Sequence, residues 1–156
     1  QSDPSGLRKI VREDLIPLFD LEFTARLILG RAGRSATPEQ VSAFADALST
    51  QLIRRYTEGL LQYESRDQLD VLPLRGENSE KMTRVRTRVK LSDGQFVPVD
   101  YAFRKTDAGW KAFDVIIEGI SYVTTYRNQI SPRVAADGID EVTRALNEGE
   151  LQLDDA

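Results

Sequence analysis

The sequence predicts an α+β domain, with helices packed on one face of a curved, antiparallel, four-stranded sheet. Three observations predict it. Apolar residues recur at helical spacing as far as Tyr63, the period falls to two between Gln68 and Ile117, and helical spacing returns after Ser121. Helices, then strands, then helices is the order of an α+β fold, not of alternating βα units. The 156 residues carry no internal repeat, low-complexity tract or interdomain linker. They are therefore read as a single domain, with 1–6 and 151–156 expected to fray.

The first helix is expected from Leu7 to Ile16, on the spacing of Leu7, Ile10, Val11 and Leu15. Pro17 disfavours helical backbone at Ile16 and ends or kinks it. Asp20 is the expected N-cap of a second helix, Leu21 to Leu29, whose apolar stripe is Phe23, Leu27 and Ile28. Gly30 ends it, and Arg31 to Ala36 reads as a loop. Thr37-Pro38-Glu39-Gln40 is a strong helix start, with Thr37 and Gln40 forming a capping box and Pro38 at the first helical position. That long helix presents Val41, Phe44, Ala45, Leu48, Leu52, Tyr56, Leu60 and Tyr63 on one face.

Leu69 and Val71 begin the first strand, and Pro73 marks an edge or an end. From Met82 to Leu91 the alternation is clear: Val85, Thr87 and Val89 face one side, and Arg84, Arg86 and Arg88 the other. Ser92-Asp93-Gly94 is a hairpin turn. Val97, Val99, Tyr101 and Phe103 then share a face, opposite Asp100, Ala102 and Arg104. The next hairpin is assigned by its buried face. Pairing Lys105 with Lys111, Phe103 with Phe113, Tyr101 with Val115 and Val99 with Ile117 makes one face wholly apolar. A one-residue slip would put Asp114 beside Tyr101. The long helix and the helix of Tyr126 are expected to cover that apolar face. Ser121 is the expected N-cap of the helix carrying Val123, Tyr126, Ile130 and Val134. Pro132 should kink or end it, and Gly138 separates a last helix, Ile139 to Leu146.

Composition excludes several function classes. There is no histidine and no cysteine. That removes Ser-His-Asp and Cys-His catalysis, disulfides and most zinc sites. The net charge of -4 argues against nucleic acid as the main partner and against a polybasic membrane anchor. No run approaches the roughly 18 apolar residues of a membrane span. No signal peptide is visible, so the chain is read as cytosolic or already processed.

Asp100, Asp114 and Glu118 are the clustered strand carboxylates. They read as cross-strand partners of Arg84, Arg86, Arg88 and Arg104 at a solvated surface, with Glu118 capping the next helix or pairing with Arg127. An enzyme reading needs Asp100 or Asp114 as a base with a tyrosine donor, in a cone-shaped fold of the ketosteroid-isomerase type. The chosen register places both outside the apolar face. Gly30-Arg31-Ala32-Gly33-Arg34 lacks the preceding strand and the lysine-serine ending of a phosphate loop. Arg31 and Arg34 can still meet an anionic head group.

Trp110-Lys111-Ala112-Phe113-Asp114-Val115, Ile117-Glu118-Gly119-Ile120-Ser121 and Tyr126-Arg127 together resemble the signature of the MlaC-like (toluene-tolerance) family. Leu29-Gly30 followed by Ala36-Thr37-Pro38-Glu39-Gln40, and Ile16-Pro17 with Asp20, match in the same order. Thr125 stands where the family often has asparagine, and Ile130 where an aromatic is usual. The resemblance implies a monomeric, non-enzymatic phospholipid carrier of the periplasm, with no cofactor and lipid as cargo. It implies docking to an outer-membrane lipoprotein complex and to an inner-membrane ABC transporter with an MCE-domain ring, and a role in outer-membrane lipid asymmetry. It further implies an apolar cavity between sheet and helices. Its expected lining is Phe23, Leu27, Leu48, Leu52, Tyr56, Val99, Tyr101, Phe103, Phe113, Val115, Ile117 and Tyr122.

Overall fold

The computed structural model describes residues 16–61, 69–73, 79–91 and 93–154, with a few isolated positions before residue 16. Most of the expected first helix falls outside the described residues, as do the side chains of Tyr56 and Leu60. Helix α1 (Leu21–Leu29) begins at Asp20, whose carboxylate accepts the Phe23 amide, and buries Ala25, Ile28 and Leu29. The chain reverses at Gly30, at a φ of 63° that glycine adopts without strain. A loop was expected next, but Arg31–Ser35 forms a short helix, α2. Five residues are too few for an apolar period to reveal. The α2 carbonyl of Gly33 is satisfied from outside, by Arg26 Nη1 at 2.8 Å.

Helix α3 (Pro38–Leu61) opens on the expected capping box. The Gln40 amide donates to Thr37 Oγ1 at 3.1 Å, and the Thr37 amide to Gln40 Oε1 at 3.0 Å. The strands follow as an antiparallel meander: β1 (Leu69–Val71), β2 (Met82–Lys90), β3 (Phe96–Thr106), β4 (Gly109–Ile117) and β5 (Ile120–Ser121). Among the described residues the sheet has five strands, where four were expected. The extra one is two residues long, and the turn before it, at Glu118 (φ 52°) and Gly119 (φ 82°), has the paired positive angles of a tight hairpin. Helix α4 (Tyr122–Asp137) starts at Ser121, whose hydroxyl accepts the Thr124 amide. It runs past Pro132 without ending, because Ile130 and Val134 on either side are buried and hold that turn in the core. Helix α5 (Ile139–Asn147) completes the elements.

The register of β3 on β4 is half as expected. Val99 pairs with Ile117 and Tyr101 with Val115. A β-bulge then intervenes, so Phe103 faces Ala112, Arg104 faces Lys111 and Lys105 faces Trp110. The Phe103–Phe113 and Lys105–Lys111 pairs do not form. Phe113 is the extra residue, and the backbone here is bonded by Asp20 just before α1 and by Thr24 within it. The Ala112 carbonyl accepts the Asp20 amide at 2.8 Å, and the Phe113 carbonyl accepts the Thr24 hydroxyl at 2.8 Å. A bulge next to such a docking point re-aims the strand.

The buried core is helical. Ile28, Leu29, Val41, Phe44, Leu48, Tyr126 and Ile130 pack with Val142, Leu146, Leu151 and Leu153, and no strand residue belongs to this cluster. The tail expected to fray is therefore part of the core through Leu151 and Leu153. Gln51 holds it, donating to the Leu151 carbonyl at 2.7 Å and accepting the Leu153 amide at 2.9 Å. Ile130 is fully buried here, and Thr125 bonds back to the Ser121 carbonyl.

Polar contacts tie helices α1 and α4 to the strands. Arg104 pairs with Asp20 at 3.2 Å and lies 4.0 Å over the Phe23 ring. Asp114 accepts the Val123 amide at 3.1 Å. Both Arg104 and Asp114 point away from the Tyr101–Val115 face, since side chains alternate along a strand. The described polar links thus tie α1 and α4 to β3 and β4 through Arg104 and Asp114, while Thr87 and Val99 on the opposite face are buried. Polar strand residues reach helix termini where apolar ones could not satisfy the exposed amides.

Candidate functional site

The register assembles an apolar surface from three strands. Val85, Tyr101 and Val115 form one row across β2, β3 and β4, and Thr87, Val99 and Ile117 form the next. Adjacent strands stand about 4.8 Å apart, so each row is roughly 10 Å long. Thr87 is buried without polar cost, because its hydroxyl donates to the Val99 carbonyl at 2.6 Å. Val99 is buried, while Val85, Tyr101, Val115 and Ile117 are only half-buried. This face is thus apolar, continuous and set apart from the helical core.

Of the expected lining residues, the structure brings together Val99, Tyr101, Val115 and Ile117, with Phe103 beside them opposite Ala112. Phe23 and Phe113 are not with them. Their rings meet edge to face at 5.2 Å, and the Arg104 guanidinium stacks on Phe23. Leu48 lies in the helical core, and Leu27, Leu52 and Tyr122 pack against that core. Tyr122 also faces Tyr126, with ring centroids 5.7 Å apart. Tyr56 lies outside the described side chains. Val85 and Thr87 belong to the apolar rows but were not among the expected lining. Their alternation and the Ser92–Gly94 hairpin together carried that signal.

The polar side of the sheet is built of charge pairs. Arg84 Nε donates to Asp100 at 2.8 Å and Arg88 Nε to Asp70 at 2.9 Å. Both arginines are about half exposed, so the pairs contribute little to stability. Asp114 is engaged at both oxygens, by the Ser121 hydroxyl and the Val123 amide. Glu118 is exposed in the turn, and the expected capping role belongs to Ser121 and Asp114 instead. Neither Asp100 nor Asp114 faces the Tyr101 surface, so the geometry that a carboxylate base would need is not formed. The remaining acidic cluster is peripheral: Arg144 pairs with Glu141, Glu148 and Glu150 on the exposed side of α5. Hydrogen bonds from Arg144 hold the Glu141 and Glu150 carboxyls below their ordinary range. Among the described residues no group of three or more acidic side chains is placed to hold a metal ion, and no helix is long and apolar enough to cross a membrane.

A family model described as "MlaC protein" matches residues 1–148. The chain is similar to the toluene tolerance protein ttg2D of Pseudomonas putida, with 26% identity over 141 residues, and spans 90% of this chain but 65% of that protein. It is similar to the intermembrane phospholipid transport system binding protein MlaC of Haemophilus influenzae, at 25% identity over 97% of this chain and 72% of that one. The fold matches a solved phospholipid-binding protein from Ralstonia solanacearum, in complex with a phospholipid, at a TM-score of 0.82. That match has 27% identity and covers 94% of this chain and 81% of the other.

Proposed function

Because the chain belongs to the MlaC family, whose members are non-enzymatic lipid-binding proteins, we propose that it is a periplasmic phospholipid carrier. It passes lipid between an outer-membrane lipoprotein complex and an inner-membrane transporter with an MCE-domain ring. In this reading the two apolar rows from Val85 to Val115 and from Thr87 to Ile117 are one wall of the cargo site. The observation that carries it is that these rows are apolar and partly to fully buried, yet none of their side chains belongs to the helical core cluster. An apolar strand face left out of the core needs another apolar partner, and the fold likeness to a protein solved with a phospholipid supports an acyl chain as that partner.

The energetics suit a shuttle. Each buried methylene is worth about 0.8 kcal/mol against water, so long chains do not escape into solvent. A bilayer offers the same apolar environment, so transfer at a membrane partner is nearly balanced for the tails. Direction is then set by the partner.

Extraction of the purified protein followed by lipid mass spectrometry tests the reading, together with Val115→Trp. The parent should yield bound phospholipid. The variant should keep the melting temperature of the delipidated parent and lose its lipid, because the indole occupies cargo space. In a filled core the same substitution would strain the fold by about 1–3 kcal/mol. A parent free of phospholipid and a variant that melts early would sink the carrier.

A further inference from the structure

Four arginines line one cleft of about 550 Å³: Arg26 of α1, Arg31 and Arg34 of α2, and Arg127 of α4, with Leu27, Gly30 and Gly33 between them. No carboxylate is among the lining residues. Arg31, Arg34 and Arg127 have no ion-pair partner among the described residues, although the whole chain carries a net charge of -4. Arg26 spends one N–H on the Gly33 carbonyl and keeps the others. A chain with an excess of acid that leaves three guanidinium groups unpaired in one concavity has a local field opposite to its net charge.

The backbone builds this cluster through its two glycines. A Cβ on Gly33 would lie 2.6 Å from the Arg26 carbonyl oxygen, so only glycine lets α2 fold back on the last turn of α1. That closeness sets Arg31 and Arg34 beside Arg26. At Gly30, a Cβ would lie 3.3 Å from Ser131 Oγ and 3.7 Å from Arg127 Cδ, which shows how near α4 brings the fourth arginine.

We propose that this cleft binds the phosphate of an anionic phospholipid head group, and that it makes the protein prefer anionic over zwitterionic membrane surfaces. The proposal takes its source of phosphate from the carrier reading above. Guanidinium forks match phosphate oxygens two at a time, which ammonium groups cannot do. The volume is within the roughly 300–1,000 Å³ of small-ligand pockets. An acidic protein surface would instead call for a broad, flat patch of roughly 800 Å² per partner. The cleft also qualifies the inference from net charge: an acidic chain can still carry a basic site for a lipid surface.

The test compares delipidated wild-type protein with Arg31→Gln/Arg34→Gln in flotation with phosphatidylglycerol or phosphatidylcholine vesicles, at low and high salt. Wild type should float with phosphatidylglycerol, and less so as salt rises. The double variant should bind those vesicles about tenfold more weakly or worse, with an unchanged melting temperature because both side chains are exposed. Equal binding by variant and wild type, or equal binding of wild type to both vesicles, would overturn the proposal and leave the cleft to an acidic protein partner. A titration with inorganic phosphate separates the sources. Phosphate bound by a wild type that ignores vesicles also overturns the head-group assignment. Phosphatidylglycerol selectivity retained in a protein that never yields bound phospholipid would support the cleft while the carrier reading fell.

Discussion

The carboxylate of Asp114, in the middle of β4, accepts the backbone amide of Val123 in the first turn of α4 at 3.1 Å. Its second oxygen takes the Ser121 hydroxyl, and Ser121 Oγ in turn accepts the Thr124 amide at 3.2 Å. Two side chains thus satisfy two of the orphan amides at the start of α4. The negative charge also sits at the favourable end of the helix dipole. The strand and the helix are locked together at this point, and both carboxylate oxygens of the aspartate are engaged at the helix start.

Replacing Asp114 by alanine should therefore cost stability, about 1–3 kcal/mol, since the Val123 amide loses its acceptor. Asp114→Asn should cost less, because an amide oxygen can still accept that bond. Urea melts of both variants measure the difference. Wild-type stability in the alanine variant would mean the bond contributes nothing.

The capping box of α3 gives a second measurable quantity. Thr37→Ala should lower stability by about 1 kcal/mol. Thr37→Ala and Gln40→Ala should also be less than additive in combination, since each residue bonds the other's backbone amide. Strict additivity in a double-mutant cycle would show that the two bonds act independently.

Gly33→Ala should destabilise by about 1–3 kcal/mol, because the added methyl meets the Arg26 carbonyl at 2.6 Å. Both the obstacle and the glycine are backbone-bound, so no side chain can swing aside. A thermal midpoint equal to that of the parent would show that the α1–α2 corner opens easily.

The acid titration of α5 has a defined sign. Glu141 and Glu150 titrate below their ordinary 4.5, chiefly through hydrogen bonds from Arg144. A depressed carboxyl contributes stability that is present above pH 4.5 and is lost as pH falls through the lowered value. All three groups are fully solvated, so the contribution is screened and small. Arg144→Gln should raise both carboxyl midpoints toward 4.5, followed residue by residue by nuclear magnetic resonance. Midpoints that stay where they were would assign the shift to something other than Arg144.

Much of the fold was legible in the chain. Asp20, Thr37, Gln40 and Ser121 are capping residues whose chemistry is local, and each caps the helix it was expected to cap. The alternation of β2, β3 and β4 is a period-two signal that survives any tertiary arrangement. What was not legible depended on single extra residues or very short elements. The bulge at Phe113 changes nothing in the sequence pattern near it, yet it breaks the Phe103–Phe113 pair, and the Phe113 ring meets Phe23 instead. The candidate site suffered most. Leu48 and Tyr101 are equally apolar in pattern, and only the packing separates a core residue from one on the half-covered sheet face. Family resemblance pointed to a cavity, but it could not say which apolar side chains the helical core would take, as it takes Leu48.

Gln51 and Leu153 are separated by 102 residues and joined by a hydrogen bond. Leu153 is among the largest fully buried side chains. The helical core is thus closed by a segment made long after the helix it packs on. Contacts this distant along the chain are slow to form, because loop-closure entropy must be overcome before they give anything back. While the chain is being made, α1 and α3 expose an apolar seam that nothing synthesised before residue 151 can fully cover. The helical core is therefore completed only after residue 153 has been made.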